Sequence, residues 1–121
     1  MPEEKKDNLD EIIAVNRELQ NLTDDLDENK KQIEKLTEAD DITHKIYKEN
    51  TDILDELAYY WKGDKANRFL HMAHEDNEHE YKQSVRTLDG VHSNLENEQK
   101  ALVNKEEDLL NKQLKLKQES R

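Results

Sequence analysis

The chain has no cysteine, one proline and two glycines in 121 residues. Without cysteine there is no disulfide, no thiolate nucleophile and no cysteine-ligated zinc. Proline stands only at position 2 and glycine only at positions 63 and 90, so almost nothing interrupts a helix. Aromatic residues make up 5% of the chain and the whole apolar set 32%. That is too little for a thick globular core, but enough for the narrow seam between long helices. No apolar run approaches the roughly 20 residues of a membrane-spanning helix. The opening stretch, Met1-Pro2-Glu3-Glu4-Lys5-Lys6-Asp7, has none of the apolar character of a secretory signal. No Sec-type signal peptide is therefore expected, and the absence of cysteine leaves the compartment open.

Cations are also in short supply. Lys and Arg number 19 against 30 Asp and Glu, a net charge of −11. Such a surface repels phosphate backbones and anionic lipid, so neither nucleic acid nor membrane insertion is expected. Enzyme signatures are missing as well. There is no glycine-rich phosphate loop, and the many carboxylates fall on helix faces that offer no pocket to tune them. The stretch His71-Met72-Ala73-His74-Glu75-Asp76-Asn77-Glu78-His79 pairs His71 with Glu75 and His74 with Glu78 at helical spacing. It does not form His-Glu-x-x-His, because His79 comes one residue too late. The expectation is a solvated charged face, with no catalytic residue, no metal site and no cofactor.

What the chain does have is charge, 40% of its residues, arranged around a heptad pattern. Ile12, Leu19, Leu26 and Ile33 form one row, and Val15, Leu22, Asn29 and Leu36 form the row three residues on. These are the a and d positions of a coiled-coil seam, with Asn29 as the kind of polar insertion that fixes register. The rows continue through polar residues, Asp40, Thr43, Tyr47 and Asn50, and recover at Leu54 and Leu57. Ile42, Ile46 and Ile53 lie beside them, so the apolar stripe widens. Two readings of that widening are open: a change of superhelical phase, or a second apolar face near the middle of the chain. A second long row runs Tyr81, Leu88, Leu95, Leu102, Leu109, Leu116, with Phe69, Leu70, Met72 and Ala73 forming a broad apolar surface before it. Gly90 interrupts this second pattern and offers a point of close helix approach.

Between the patterns lies Tyr59-Tyr60-Trp61-Lys62-Gly63-Asp64, with the only Trp. Glycine tolerates the backbone that ends a helix, and Asp caps the next one. Trp61, Gly63 and Asp64 therefore read as a hinge. The spacing predicts an all-α chain in one domain, residues 1–121. A helix over about 7–60, capped at Asp7 or Asn8, meets a hinge at 61–63 and a second helix over about 64–117. A fold about Lys62 pairs the seam residues Leu36 with Leu88, Ile33 with Val91, Leu22 with Leu102 and Val15 with Leu109. Near the hinge, Leu54 meets Leu70. In the polar section Thr43, Tyr47 and Asn50 face Tyr81, Asn77 and His74. A long antiparallel hairpin buries one stripe per helix, so it would complete a helical bundle with a partner or a second copy. The residues that would carry a partner are Ile53, Leu54, Leu57, Tyr60, Trp61, Phe69 and Leu70.

Trp-x-Gly between two long amphipathic helices resembles the WXG superfamily, the small helical hairpins of type VII (ESX-type) secretion. The matching residues are Trp61-Lys62-Gly63, with Phe69 beyond them. Many members carry a Tyr-x-x-x-Asp/Glu export signal after the second helix, and no Tyr follows Tyr81 here. The chain is also longer than most. It looks most like the helical accessory proteins that accompany LXG-type toxins in Gram-positive bacteria. That resemblance implies a cytoplasmic adaptor that binds the helical N-terminal domain of a toxin, with or without a second small helical protein, and promotes its export. It also implies a type VII route as the alternative to cytoplasmic retention. The competing expectation is a self-assembling structural hairpin, either a homodimeric four-helix bundle or a needle-type subunit.

Overall fold

The computed structural model describes residues 2–119, with side chains from residue 8 onward. Helix α1 spans Pro2–Tyr60 and helix α2 spans Asp64–Glu119, and the two pack against each other as an antiparallel hairpin. No strand occurs among the described residues.

α1 begins earlier than a cap at Asp7 or Asn8 predicts, and those two positions lie inside it. Pro2 suits a first turn, where its missing N–H has no partner to lose. Glu and Lys at positions 3–6 are good helix formers, so nothing stops the helix short of it. The Asp7 side chain lies outside the described side chains. At the other end α2 continues two residues past 117, to Glu119.

The turn is built differently from the expected aspartate cap. The Trp61 N–H donates to the Leu57 carbonyl at 2.8 Å, a last helical bond of α1. Gly63 has φ of +115°, a backbone that side chains rarely adopt. Its carbonyl accepts from the Asn67 N–H at 2.9 Å, so Gly63 itself is the N-cap of α2. Asp64 is the first helical residue, where its carboxylate meets the positive end of the helix dipole.

Contacts divide the chain into two units. The open-end unit comprises Met1–Gln32 with Asn94–Arg121, and the hinge unit comprises Ile33–Ser93. In the open-end unit Val15, Leu22, Leu109 and Leu116 form a buried cluster, with Ile12, Leu19 and Leu102 packed against it. Buried and half-buried positions of α1 here alternate in steps of three and four, the spacing of a regular coiled-coil seam. Asn29, only 1% exposed, interrupts this apolar layer and donates from Nδ2 to the Leu95 carbonyl at 3.0 Å. Asn16 and Gln113 add a side-chain hydrogen bond across the helices.

In the hinge unit the seam changes phase. Asp40, Thr43 and Tyr47 are half-buried, and the next inward positions are Thr51, Leu54 and Ala58. Asn50 and Leu57, expected to continue the rows, are exposed. From Thr43 to Tyr47 to Thr51 the chain takes two successive steps of four, where the alternation calls for a four and a three. That is the eleven-residue spacing that locally unwinds a left-handed coil. α2 makes the same adjustment at Asn77, Tyr81 and Val85. Ala66 and Leu70 are buried beside the turn, and Leu36 is buried at the far side of the unit. Ile33 and Leu88 are half-buried, but Val91 is 43% exposed and leaves the seam, where His92 takes the half-buried place.

The cross-helix register is also displaced from a simple fold about Lys62. Tyr47 stacks on Tyr81 with ring centroids 4.2 Å apart, and not against Asn77. Asn50 donates from Nδ2 to Oδ1 of Asn77 at 3.3 Å, and not to His74. His74 instead lies 3.6 Å from the Asp55 carboxylate. Helical side chains lean towards the N-terminus of their own helix. In an antiparallel pair the two sets lean in opposite directions along the axis, so side chains meet at higher residue numbers than backbones of the same level. The Asn29 bond, made to a backbone carbonyl, keeps the level that the simple fold predicts.

Gly90 does not mark a close approach. It is exposed, and a Cβ built on it would meet nothing within 4 Å.

Candidate functional site

The phase step determines what the hinge unit shows to solvent. Once Thr51 and Ala58 turn inward, the aliphatic residues of α1 that flank them turn out. Ile53 is 56% exposed, Ile46 52% and Leu57 41%. α2 does the same beside the turn, where Phe69 is 52% and Met72 62% exposed while Ala66 and Leu70 stay buried. Both of the readings left open for the widened stripe are thus realised, because the phase change produces the second face.

Between the helices on this face runs a groove. Its hinge-proximal stretch has a volume of about 460 Å³ and is lined by Asn50, Ile53, Leu54, Phe69, Met72, Ala73, Asp76, Asn77 and Glu80. The adjoining stretch shares Asn50, Asn77 and Glu80 and adds Thr43, Ile46, Tyr47, Tyr81 and Ser84. The floor is polar and hydrogen-bonded. Asn77 accepts from Asn50 and donates from Nδ2 to the Thr51 hydroxyl at 3.3 Å, while that hydroxyl donates to the Tyr47 carbonyl at 2.9 Å. Tyr81, stacked on Tyr47, holds a hydrogen bond of 3.0 Å between its hydroxyl and His44 Nδ1. These side chains are linked to one another by hydrogen bonds and one ring stack, so the floor presents a connected polar surface.

At the turn, Trp61 is 43% exposed and its ring lies 5.4 Å from that of Phe69, tilted by 54°. Tyr59 and Tyr60 pack edge to face on each other, 5.1 Å between centroids, and are the most exposed aromatics of the unit. Of the residues expected to meet a partner, Ile53, Leu57, Tyr60, Trp61 and Phe69 are thus accessible and Leu54 is half-buried in the groove wall. Leu70 is buried in the seam and offers nothing to a partner. Ile46 and Met72, which spacing places in the widened stripe and the broad apolar surface but not among the partner residues, belong to the face, as do Asp76 and Glu80. The signal that finds Ile46 and Met72 is their position one residue off the buried rows.

The open-end unit has exposed apolar residues of its own, with Leu9 and Ile13 on α1 and Val103, Leu110 and Leu114 on α2. Val103 lines a hollow of about 300 Å³ with Gln99, Lys100 and Asn104, all on α2, so no second helix forms an opposite wall there.

Charge on both helices is largely solvated. Lys45–Glu49 at 4.0 Å and Lys82–Glu78 at 3.0 Å are exposed pairs within one helix, of the kind that adds little stability. In the histidine-rich stretch, His71 lies 3.0 Å from Glu75. Among the described residues no three His, Asp or Glu side chains converge as metal ligands. Among the same residues no helix is long and apolar enough to cross a membrane.

A family model, described as a protein of unknown function (DUF3958), matches residues 7–116. No curated protein and no solved structure matches the chain.

Proposed function

We propose, for a chain that belongs to the DUF3958 family, the role of a type VII secretion adaptor. It binds the helical N-terminal domain of an LXG-type toxin in the cytoplasm and promotes that toxin's export, either staying behind or leaving with it. The observation that carries this reading is the hinge-unit face, where Ile53, Phe69 and Met72 stand exposed around a groove beside Trp61. Apolar surface concentrated in one place marks an interaction site. A groove between two antiparallel helix walls suits a third helix, which would complete a bundle. The Trp-x-Gly turn at that same end supports the resemblance to type VII hairpins.

The test is co-expression with the helical N-terminal domain of a candidate LXG-type toxin. Wild-type chain should co-purify with it. Trp61→Ala should leave helicity nearly intact and weaken the complex by on the order of 2 kcal/mol or more, because buried Trp is the commonest interface hot spot. Ile53→Asp, at an exposed position, should abolish capture without unfolding the hairpin. If both variants bind like wild type, the adaptor reading fails.

A second reading, the self-assembling hairpin, draws on the exposed Leu9, Ile13, Leu110 and Leu114 of the open-end unit. Sedimentation of the purified chain tests it. A homodimer that Leu110→Asp with Leu114→Asp takes apart favours self-assembly.

A further inference from the structure

We infer that the hinge-unit groove takes a helix of a different chain, one whose apolar stripe is bordered by lysine or arginine, and that it rejects a second copy of this chain. This rests on the adaptor reading and adds to it the chemistry of the partner. The groove is apolar along its sides, through Ile53, Phe69 and Met72. Its lining contains two ionisable carboxylates, Asp76 and Glu80, one helical turn apart on α2, and no lysine or arginine. Among the described residues neither carboxylate pairs with another side chain. The rest of the polar lining is neutral, and Asn50 is already bonded to Asn77.

A helix laid along this groove therefore meets an apolar track with negative charge on its α2 side. Cations at its border would face Asp76 and Glu80 and gain from both. Anions there would meet like charge with no counter-ion at hand. A second copy fails on the same ground. Two-fold packing of this face on itself would set two Asp76 and two Glu80 around one seam, and the groove brings no cation to separate them. The charge of −11 over the whole chain adds a long-range field of the same sign, which speeds the approach of a basic partner and slows that of another copy.

The experiment uses the full chain and two synthetic helical peptides with one identical leucine stripe. Lysines border the stripe in one peptide and glutamates in the other. Binding is read by fluorescence anisotropy of the labelled peptides. At low salt the lysine peptide should bind at least tenfold more tightly, and the difference should collapse near 1 M salt, where screening shortens to about 3 Å. Asp76→Asn with Glu80→Gln should remove the preference while apolar binding persists. That variant leaves most of the net charge in place, −9 against −11, so full loss of the preference localises it to the groove. Ile53→Asp should weaken both peptides. Equal affinity for the two peptides, a preference that survives the double variant, or a homodimer of the free chain that Ile53→Asp dissociates would each overturn the inference. In the toxin-domain co-purification, capture lost with Ile53→Asp but untouched by Asp76→Lys with Glu80→Lys refutes the charge inference alone. Capture untouched by Ile53→Asp refutes the adaptor reading itself.

Discussion

The side-chain amide of Asn29 donates to the backbone carbonyl of Leu95 across an otherwise apolar layer, while its own Oδ1 is buried without a hydrogen-bond partner. A buried acceptor left unmade costs about 1–3 kcal/mol. The bond is therefore worth more to alignment than to stability, since sliding the helices would strand the amide donor too. Asn29→Leu should stabilise the monomer in urea unfolding by about 1 kcal/mol, from the burden removed and the apolar area gained. It should also raise the fraction of domain-swapped dimer seen by light scattering, because a leucine fits several layers equally. A less stable variant that stays strictly monomeric would assign Asn29 a stabilising role instead.

Register can be measured directly. Asn50 and Asn77 touch through their amides, so Asn50→Cys with Asn77→Cys should form an intrachain disulfide rapidly under mild oxidation. Asn50→Cys with His74→Cys, the pair that a simple fold about Lys62 aligns, should crosslink slowly. The reverse order of rates would mean that side-chain lean does not set the contacts of the hinge unit. Crosslinks formed only between chains would mean that the two helices belong to different molecules.

The two glycines should respond to the same substitution with opposite signs. Gly63 has positive φ and open space around it, so Gly63→Ala reports backbone strain alone and should cost about 1–2 kcal/mol. Gly90 lies in ordinary helix with equally open space, so Gly90→Ala should gain about 0.5–1 kcal/mol. Thermal unfolding followed by circular dichroism reads both. A loss at Gly90 would point to a contact there that the hairpin alone does not make.

Amide exchange should divide α1. Between Leu36 and the turn, no seam position of α1 is fully buried, and several are polar. The segment over 15–29 carries Val15, Leu22 and Asn29, all buried. Local opening costs least where apolar contacts are fewest. Residues 40–50 should therefore exchange faster than residues 15–29. Equal or greater protection over 40–50 would show that the polar platform of Tyr47, Asn50, Asn77 and Tyr81 is as strong as an apolar layer.

Much of this architecture is legible from residue spacing. Leucine and valine at heptad positions from Ile12 to Leu36 define one stripe, and Leu88 to Leu116 the other, because a core-facing residue has few substitutes. Gly63 announces the turn, since few other residues tolerate its backbone. The legibility ends where the seam becomes polar. Asn50 and Thr51 are equally plausible at an inward position, as are Leu57 and Ala58, and strict seven-residue counting picks the wrong member of each pair. The phase step is set by both helices together, so one helix read alone cannot reveal it. The same holds for Val91 and Leu70. A hydrophobic residue near a seam reads as buried or as exposed with equal ease, and only the rotation of the helix separates the two. Asp76 and Glu80 escape notice for a different reason: among so many carboxylates, composition gives no hint of which two line a groove.

Trp61 is the only indole in the chain, and it sits in the turn with its ring against Phe69 and two-fifths of its surface in water. Light emitted by this protein on excitation near 295 nm therefore comes from one known place. Water around an indole shifts its emission to longer wavelengths, and an apolar neighbour shifts it back. An event that covers the turn should move the spectrum to the blue, whereas an event confined to the open-end unit should leave the colour unchanged. The molecule thus carries its own optical probe of which end is engaged, with no label attached to either partner.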